Sequence, residues 1–370
     1  MQNQKKKKKV AIIGTVGVPA CYGGYETLVE NLLDYKQDPD IEYQVYCSSK
    51  SYKNKLKEYK GAKLKYIPFN ANGSQAPVYD SISMVHAFLT SDIILSLGTV
   101  GSFVLPIIKL FSKKKIIFNL DGLDDEREKF SSFPQKVIKC ARKLASKYGD
   151  ICISDNQGIK DYALKNYKRD TELIEYGGDQ AVPVKDDNKL RDKYGLQPKG
   201  YSFKVARIEP ENNIETILEA YSELPDEQIV IVGNWNRGEF GKEMRAKYGK
   251  FSNIMMLDPI YEPEEINLLR SNCKLYIHGH SAGGTNPSLV EAMNLGLPII
   301  ANGVIYNRET TEHKAIYFKD HDKDSLKEQV AAACEDNEAL DKLGKQMLEI
   351  GKRRYTWKRI SNLYEKLFEN

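Results

Sequence analysis

The segment 280–303 holds the residue types that an anion-binding helix start requires. Its sequence, HSAGGTNPSLVEAMNLGLPIIANG, passes from an apolar strand pattern through two glycines and an Asn-Pro pair into a short helical pattern. The glycines would let the backbone turn and approach a ligand, Thr285 or Asn286 would cap the helix, and Pro287 fits its first turn. We predict that the amides of Gly284 to Asn286 bind an anion such as a diphosphate.

Two charged residues accompany this loop. Glu291 lies one turn into the predicted helix, where its carboxylate would accept hydrogen bonds from both hydroxyls of a ribose. Arg207 follows the apolar pattern YSFKVARI and would grip a phosphate with two N–H groups. The alternatives stay open, because a capped helix after a strand is routine architecture and Arg207 could simply pair with Glu209 or Glu211.

The opening loop, GTVGVPACYGGYET, joins a predicted strand to a predicted helix. Its glycine spacing fits neither the dinucleotide-binding fingerprint nor the Walker A loop. Gly23 and Gly24 remain at the helix start, flanked by Tyr22, Tyr25 and Glu26. We expect the glycine amides to approach a phosphate and the three flanking side chains to bind a second substrate. An ordinary loop-to-helix turn is the alternative.

An acidic loop, NLDGLDDEREKF, follows another predicted strand. Asp121 directly precedes Gly122 at the strand tip, where a carboxylate would meet a substrate hydroxyl. We predict that Asp121 is a catalytic residue that also binds the second substrate and that Arg127 binds it as well. Several neighbouring charges would be ordinary surface residues.

Metal chemistry is not expected from this sequence. His278 and His280 share one face of a predicted strand, but no third ligand follows at a suitable spacing, so they are interpreted as cleft or core residues. The six cysteines include no close pair, which indicates reduced thiols and not a disulfide framework or a zinc site.

The elements that must position these residues are those of α/β domains. Apolar runs such as KVAIIGT, SDIILSLG, TELIEYGG, QIVIVGN and LPIIANG alternate with amphipathic helical patterns, which indicates doubly wound parallel sheets. The turn-rich stretch DQAVPVKDDN separates two such series, so we predict domains over 1–180 and 181–354. Ligands of such sheets bind at the carboxyl ends of the strands, which predicts a cleft between the domains.

Composition narrows the class of partner. Hydrophobic residues make up 41% and charged residues 29% of the 370 residues, and the net charge of +4 does not indicate nucleic-acid binding. The longest uncharged stretch, Ile93 to Ile108, is too short to span a bilayer. We therefore expect a cytoplasmic protein. The lysine runs Lys5 to Lys9 and Lys113 to Lys115 would suit an anionic membrane surface, although the first is equally consistent with a solvated terminus.

Taken together, GVPACYGGYET, NLDGL, RIEPENNI and GGTNPSLVEAM make the sequence resemble the family 4 glycosyltransferases. More narrowly, they resemble the bacterial rhamnosyltransferase-type subgroup of capsule, O-antigen and exopolysaccharide synthesis. The resemblance implies the GT-B fold, with two facing Rossmann-like domains and a helix over 355–370 that returns to the first. It implies that Arg207 contacts the donor diphosphate, that Glu291 binds the ribose, and that transfer retains configuration without a metal cofactor.

The same resemblance implies a donor such as dTDP-L-rhamnose or a UDP-sugar, whose phosphate Gly23 and Gly24 would approach. It also implies that the second substrate is an acceptor, a saccharide carried on undecaprenyl diphosphate. The acceptor-binding residues would then be Tyr22, Tyr25, Glu26, Asp121 and Arg127. Two positions depart from the family pattern: Asn212 replaces a donor-site lysine, and Gly283 replaces the first glutamate of the E-x7-E motif. These changes leave Arg207 and Asn212 as the donor-side groups of that loop and leave the sugar open. A nucleotide-sugar epimerase and a non-catalytic sugar-binding protein are the alternatives.

Overall fold

The structure, a computed structural model, describes most of the chain as two compact units. The described residues are 7–21, 23–120, 132–186 and 188–369. Unit 1 comprises Met1–Glu175 and Trp357–Asn370, and unit 2 comprises Tyr176–Thr356. The observed divisions after residues 175 and 356 lie close to the predicted ones after residues 180 and 354.

Unit 1 is built on an eight-stranded sheet, as far as the described residues go. Its strands are β1 Lys8–Ile13, β2 Ile41–Ser48, β3 Glu58–Tyr59, β4 Ala62–Ile67, β5 Ile93–Leu97, β6 Lys115–Asn119, β7 Ile151–Ser154 and β8 Glu172–Leu173. Their order is β3-β4-β2-β1-β5-β6-β7-β8, and only the β3–β4 pair is antiparallel. The central strands are buried on both faces, which explains their continuous apolar sequences.

Helices cover both faces of this sheet. They are α1 Gly24–Asp34, α2 Ala76–Thr90, α3 Leu105–Phe111, α4 Ser132–Tyr148 and α5 Gln157–Tyr167, with short 3-10 helices at Gly73–Gln75 and Val100–Val104. The inner faces of α2, α3 and α4 contribute to one hydrophobic core, through residues such as Met84, Leu105 and Ala145.

Unit 2 contains a six-stranded, fully parallel sheet in its described residues. Its strands are β9 Tyr201–Val205, β10 Gln228–Val232, β11 Ile254–Leu257, β12 Leu275–His278, β13 Ile299–Asn302 and β14 Ile316–Phe318, and their order is β11-β10-β9-β12-β13-β14. Its helices are α6 Lys189–Tyr194, α7 Ile214–Ser222, α8 Glu239–Tyr248, α9 Pro263–Ser271, α10 Pro287–Asn294, α11 Ile305–Thr310, α12 Lys323–Glu335 and α13 Asn337–Arg354, with a 3-10 helix at Pro210–Asn212.

The last helix, α14 Trp357–Phe368, belongs to unit 1 although it follows unit 2 in the chain. Phe368 is buried and packs edge-on against Tyr43 of β2. Glu365 accepts hydrogen bonds from the Gln37 and Asp38 amides at 2.8 and 3.0 Å. The C-terminal helix that the sequence predicted to return to the first domain is therefore present.

The prediction of two doubly wound α/β domains is confirmed. Two details differ: TELIEYGG forms only the two-residue β8, and the short strands β3 and β14 were not predicted. Lys8 and Lys9 of the N-terminal lysine run lie in β1, and Lys8 Nζ donates to the Phe368 carbonyl at 2.9 Å. No helix in the described residues is both long and apolar enough to cross a bilayer.

Candidate functional site

The loops that leave β9 and β12 are joined at the carboxyl edge of the unit 2 sheet. Ser281 donates its amide and its hydroxyl to the Glu211 carbonyl, at 3.0 and 2.8 Å. Asn213 Nδ2 donates to the Gly279 carbonyl at 2.8 Å. A Cβ at Gly279 would lie 2.4 Å from the Asn212 carbonyl oxygen, so only glycine permits this approach. The structure thus holds the loop that carries Arg207 against the loop that precedes α10.

The start of α10 has the predicted caps. Asn286 is the N-cap residue, its side chain accepts the Ser288 amide at 3.2 Å, and Pro287 occupies the first turn. Gly283 has φ +121°, a value that favours glycine, which explains why the family glutamate is incompatible with this turn. Thr285 is buried and Gly284 is partly exposed. The capped helix start and its preceding turn therefore lie where the sequence placed an anion site.

Arg207 lies two residues past β9 with a largely exposed side chain. Its side chain is 47% exposed, and its Nη2 lies 3.9 Å from Glu211 Oε1, so this ion pair is weak and leaves the side chain accessible. Asn212 is buried and donates its side-chain amide to the Arg207 carbonyl at 2.7 Å. The observed contact of Asn212 shapes the loop, and its direct contact with a donor stays a prediction.

Glu291 is held on α10 by two residues that sequence reasoning missed. Arg270 Nη1, on α9, pairs with Glu291 Oε2 at 2.6 Å, and Gln180 Nε2 donates to Oε1 at 2.7 Å. The side chain of Arg270 is 6% exposed and that of Glu291 is 18% exposed. Each carboxylate oxygen retains acceptor capacity beyond one hydrogen bond. Arg270 and Gln180 thus hold the carboxylate in place and leave it able to accept further hydrogen bonds.

A cavity of about 400 Å³ lies past the carboxyl end of β11 and against the start of α9. Its lining includes Asp258, Ile260, Tyr261 and Glu265. Tyr261 is 83% exposed, so its ring offers an uncovered aromatic surface at the cavity. The only sequence signal was the aromatic residue in the loop DPIYEPEE, between a strand and a helix. Since α9 also carries Arg270, the cavity and the Glu291 carboxylate adjoin the same helix.

Two buried basic groups lie in the neighbouring strands β9 and β12. Lys204 Nζ and both ring nitrogens of His278 are buried and have no hydrogen-bond partner among the described residues. Burial lowers the pKa of Lys204 to about 7, and burial followed by the Lys204 charge lowers the pKa of His278 well below its usual value. His280 stacks on His278 with ring centroids 4.5 Å apart. His278 is therefore a core residue, as one of the sequence interpretations had it, whereas His280 is only partly buried.

The opening loop of unit 1 is organised around Glu26. This residue is buried, and its Oε1 accepts the Thr15 hydroxyl at 2.6 Å and the Val16 amide at 2.7 Å. Its Oε2 accepts the Gly23 amide at 2.9 Å. The structure thus commits Glu26 and the Gly23 amide to the loop itself. Gly24 is exposed and Tyr25 is partly exposed. Their phosphate-binding and acceptor-binding roles stay predictions.

A carboxyl group that sequence reasoning missed lies near this loop. Asp80 on α2 is buried, its Oδ1 has no partner among the described residues, and burial raises its pKa to about 7. The adjacent Tyr79 hydroxyl donates to the Thr15 carbonyl at 2.9 Å, so Asp80 lies near the carboxyl edge of the sheet. Three predicted acceptor-side residues lie outside the described residues: Tyr22, Asp121 and Arg127.

The groups needed for a metal site are not clustered in the part of the chain that the structure describes. No set of three His, Cys, Asp or Glu side chains there could hold an ion. Metal-independent chemistry therefore stays a prediction. All six cysteines are free thiols, as their spacing indicated.

Comparison with known proteins places a glycosyltransferase domain in unit 2. Residues 186–349 match the family described as glycosyl transferases group 1, and residues 7–179 match a domain of unknown function, DUF1972. A curated relative is the serotype-specific mannosyltransferase WbdA of Escherichia coli, 25% identical over 154 residues. That match covers 40% of this chain and only 19% of the relative. The enzyme class expected from sequence, a glycosyltransferase, is supported by the domain match.

Solved structures confirm the fold. Sucrose-phosphate synthase from Thermosynechococcus elongatus has a TM-score of 0.81 at 16% identity and covers 98% of this chain and 99% of its own. Anabaena HepE in complex with UDP-glucose has a TM-score of 0.77 at 18% identity, with the same coverage. A UDP-N-acetylglucosamine 2-epimerase from Listeria monocytogenes has a TM-score of 0.64 at 17% identity and covers 96% of this chain and 94% of its own. The chain has the GT-B fold.

Proposed function

We propose that this protein is a retaining glycosyltransferase whose unit 2 binds a nucleotide-sugar donor and whose unit 1 binds a saccharide acceptor. The observation that carries the proposal is the joined edge of unit 2. There the exposed Arg207 lies on a loop hydrogen-bonded to the loop before α10, and α10 carries the restrained carboxylate Glu291. The domain match over residues 186–349 supports the same class of chemistry.

This edge suits the leaving group of glycosyl transfer. Negative charge builds on the diphosphate as the bond to the anomeric carbon breaks, so fixed cations and oriented amides at that diphosphate would lower the barrier. Arg207 would supply the cation, and the amides from Gly284 to Asn286 would supply the dipoles. The departing phosphate would take the proton of the acceptor hydroxyl, so this step requires no separate general base.

The nucleoside would extend from the diphosphate toward α9. Glu291 would accept hydrogen bonds from the two ribose hydroxyls, and the cavity past β11 would hold the base. The exposed ring of Tyr261 offers a surface for base stacking. Strands β9 and β11 are two apart in the sheet, about 10 Å, a span that a nucleoside diphosphate covers.

The donor inferred from the sequence motifs is dTDP-L-rhamnose, and a UDP-hexose is the alternative. The HepE structure contains UDP-glucose, and WbdA is described as a mannosyltransferase, so the comparisons favour no single sugar. The acceptor inferred from the resemblance is a saccharide on undecaprenyl diphosphate, within capsule, O-antigen or exopolysaccharide synthesis. Asp121 and Arg127 remain the sequence-predicted acceptor contacts.

A panel of nucleotide sugars tests the assignment. Thermal shift would first identify the nucleotide that stabilises the protein, and release of free nucleoside diphosphate would then be followed with and without acceptor. We expect release that depends on the acceptor and a product with retained configuration. Conversion of the nucleotide sugar without acceptor would identify an epimerase, and binding without turnover across donors and acceptors would identify a sugar-binding protein.

A further inference from the structure

Unit 1 exposes an unusual concentration of large hydrophobic side chains. In the described part of the chain, eight of the fourteen exposed large hydrophobic side chains lie between residues 78 and 111. We call these eight residues the apolar face. They lie on α2 (Val78, Ile82, Val85, Leu89), on the 3-10 helix at Val100–Val104 (Phe103) and on α3 (Ile107, Leu110, Phe111). Leu110 and Phe111 are each 78% exposed and Leu89 is 71% exposed. Such a cluster on a protein surface indicates an interaction site.

The spacing of these residues places them on the outer side of each helix. On α2 they recur at intervals of four, three and four residues, which is one face of a helix. The opposite side of α2 packs into the core of unit 1 through Tyr79, Met84 and Ala87. The acidic and basic residues of α2 and α3 are Asp80, which is buried, Lys109, and His86, whose Nδ1 is hydrogen-bonded to the Tyr46 hydroxyl at 2.6 Å. The outer side of these helices therefore lacks the charged face of a solvated helix.

Contacts at both ends show that α2 runs beside the segment that contains the 3-10 helix and α3. A Cβ at Gly101, just before α3, would lie 3.3 Å from the Asp80 Cβ. At the other end, Lys114 Nζ donates to the Ser91 carbonyl at 2.8 Å and lies over the Phe88 ring. The ammonium group of Lys114 thus interacts within unit 1. In the run Lys113 to Lys115, only Lys113 is exposed.

A face of exposed lysines borders the apolar face. Helix α4 packs beside α3, and its sequence contains no acidic residue. The lysines on its exposed side recur at helical spacing: Lys136, Lys139, Lys143 and Lys147. An apolar surface beside a uniformly basic one matches the arrangement of helices that lie in the interface of an anionic bilayer.

We propose that the outer faces of α2, α3 and α4 dock unit 1 onto an anionic lipid bilayer. The apolar face enters the boundary between headgroups and acyl chains, and the α4 lysines contact the lipid phosphates. The charge pattern favours lipid over a protein partner, because α4 offers only positive charge beside side chains without hydrogen-bonding groups. The docking surface is inferred from these contacts and charges alone. Its purpose, to bring unit 1 to a lipid-carried acceptor, rests on the proposed function.

Vesicle co-sedimentation of the full-length protein tests the apolar face. We expect binding to vesicles that contain phosphatidylglycerol and little binding to pure phosphatidylcholine, with weaker binding at high salt. The double variant Leu110→Glu and Phe111→Glu should lower the partition coefficient by about tenfold or more. Leu164→Glu, at a half-exposed leucine on α5 of the same unit, is the matched control and should bind like the wild type.

The lysines are tested by a matched pair of charge variants. Replacing Lys136, Lys139 and Lys143 with Gln should weaken binding to anionic vesicles and reduce its salt dependence. Replacing Lys342, Lys345 and Lys352 on α13 of unit 2 with Gln removes the same charge from another exposed helix and should have little effect.

Two results would overturn the docking surface. One is equal vesicle binding by the wild type and the Leu110→Glu, Phe111→Glu variant. The other is a wild-type protein that does not bind vesicles but forms a concentration-dependent oligomer, which the variant does not form. That result would identify the apolar face as a protein interface. Transfer to a short soluble acceptor, measured in parallel, separates the two proposals: vesicle binding without transfer would leave the surface intact and remove the enzymatic assignment.

Discussion

Arg207 combines accessibility with a fixed backbone. Its carbonyl is held by the buried Asn212, its side chain is nearly half exposed, and its partner Glu211 lies at the limit of an ion pair. A side chain in this state adds little to folding, because an exposed ion pair of this length contributes roughly 0 to 1 kcal/mol. Its position is better explained by a ligand than by stability.

Substitution of Arg207 should affect the chemical step most. Because leaving-group charge grows in the transition state, Arg207→Ala should lower kcat by about 100-fold, roughly 3 kcal/mol, with a smaller loss of donor affinity. Arg207→Lys should restore activity only in part, since a point charge cannot form the planar two-pronged contact. Steady-state kinetics with varied donor would check this. A raised KM with unchanged kcat would make Arg207 a simple binding residue.

Glu291 allows a test of ribose recognition with an internal control. Glu291→Gln should weaken binding of the free nucleoside diphosphate about tenfold, or roughly 1.4 kcal/mol, since a charge-assisted hydrogen bond becomes a neutral one. Gln180→Ala removes the other partner of the carboxylate but keeps its charge, so affinity should stay within about threefold. Titration calorimetry measures both.

The interpretation requires that Glu291→Gln remain folded, because it leaves the buried Arg270 without its ionic partner. A denaturation curve recorded beside the calorimetry would establish this. Full nucleotide affinity in a folded Glu291→Gln variant would contradict the ribose assignment.

Lys204 should make the stability of unit 2 depend on pH. Its folded pKa of about 7 lies below its ordinary value of 10.5, so the unfolded chain binds more protons between these values. This contribution makes the free energy of unfolding rise with pH across that window. Lys204→Met should be more stable than wild type at pH 7, on the order of 3 kcal/mol, and the difference should shrink as pH rises toward 10.

Urea denaturation at pH 7, 8 and 9 measures this difference. Trp235 is buried in unit 2 and serves as the fluorescence probe when Trp357, the other tryptophan, is replaced by Phe in both proteins. A difference between Lys204→Met and wild type that stays constant over this range would mean that Lys204 does not titrate there.

At the scale of elements, the site of unit 2 depends on contacts between loops that follow neighbouring strands. Strands β9 and β12 pair in parallel, which brings their carboxyl ends together. Hydrogen bonds from Asn213 and Ser281 then join the two loops, and the absence of a side chain at Gly279 permits their approach. The relative position of Arg207 and α10 is therefore a property of the loop pair.

Gly279→Ala tests this dependence. The added Cβ would lie 2.4 Å from the Asn212 carbonyl oxygen, so the Arg207 loop must shift. We expect a stability loss of about 2 kcal/mol from overpacking and a substantial loss of kcat. Gly238→Ala is the control, since nothing lies within 4 Å of its Cβ position and its φ of −149° suits any residue. Equal activity of the two variants would show that the loop contact is not needed.

At the scale of the whole molecule, the chain forms two units, and unit 1 contains residues from both ends of the sequence. Helix α14 completes unit 1 after the chain has formed unit 2, so the folding of unit 1 requires both ends of the sequence. Its contacts with β1, β2 and the segment after α1 are extensive, through Lys8, Tyr43 and Gln37. Loss of these contacts should affect unit 1 selectively.

Phe368→Ala provides the measurement. Removing this buried ring should destabilise unit 1 by about 3 to 5 kcal/mol. In hydrogen exchange, amides of β1 and β2 should lose protection while those of β9 and β12 keep it. The nucleotide affinity of unit 2 should stay unchanged. Uniform loss of protection over both units would contradict their separation.

The alternation of the main strands and helices could be predicted from the sequence, because both sheets consist largely of buried parallel strands whose apolar runs are recognisable without knowledge of their neighbours. The sequence also predicted a helix cap at Thr285 or Asn286, of which Asn286 is observed, and the position of Arg207 just past β9, since both depend on residues adjacent in the chain. These features depend on residues that are close together in the sequence, so they could be predicted from it.

Which polar and charged groups are already paired could be established only from contacts between residues distant in the sequence. Glu26 was predicted to contact an acceptor, but its side chain is buried and accepts hydrogen bonds from Thr15 and Val16, which precede it by about ten residues. Arg270 and Glu291 are 21 residues apart and meet only because α9 and α10 pack on the same sheet. The exposure of the apolar face on α2 and α3 could not be predicted, because a sequence pattern identifies an apolar side of a helix but not whether anything covers it. Burial and pairing depend on contacts distant along the chain, and those exist only after the sheets have assembled.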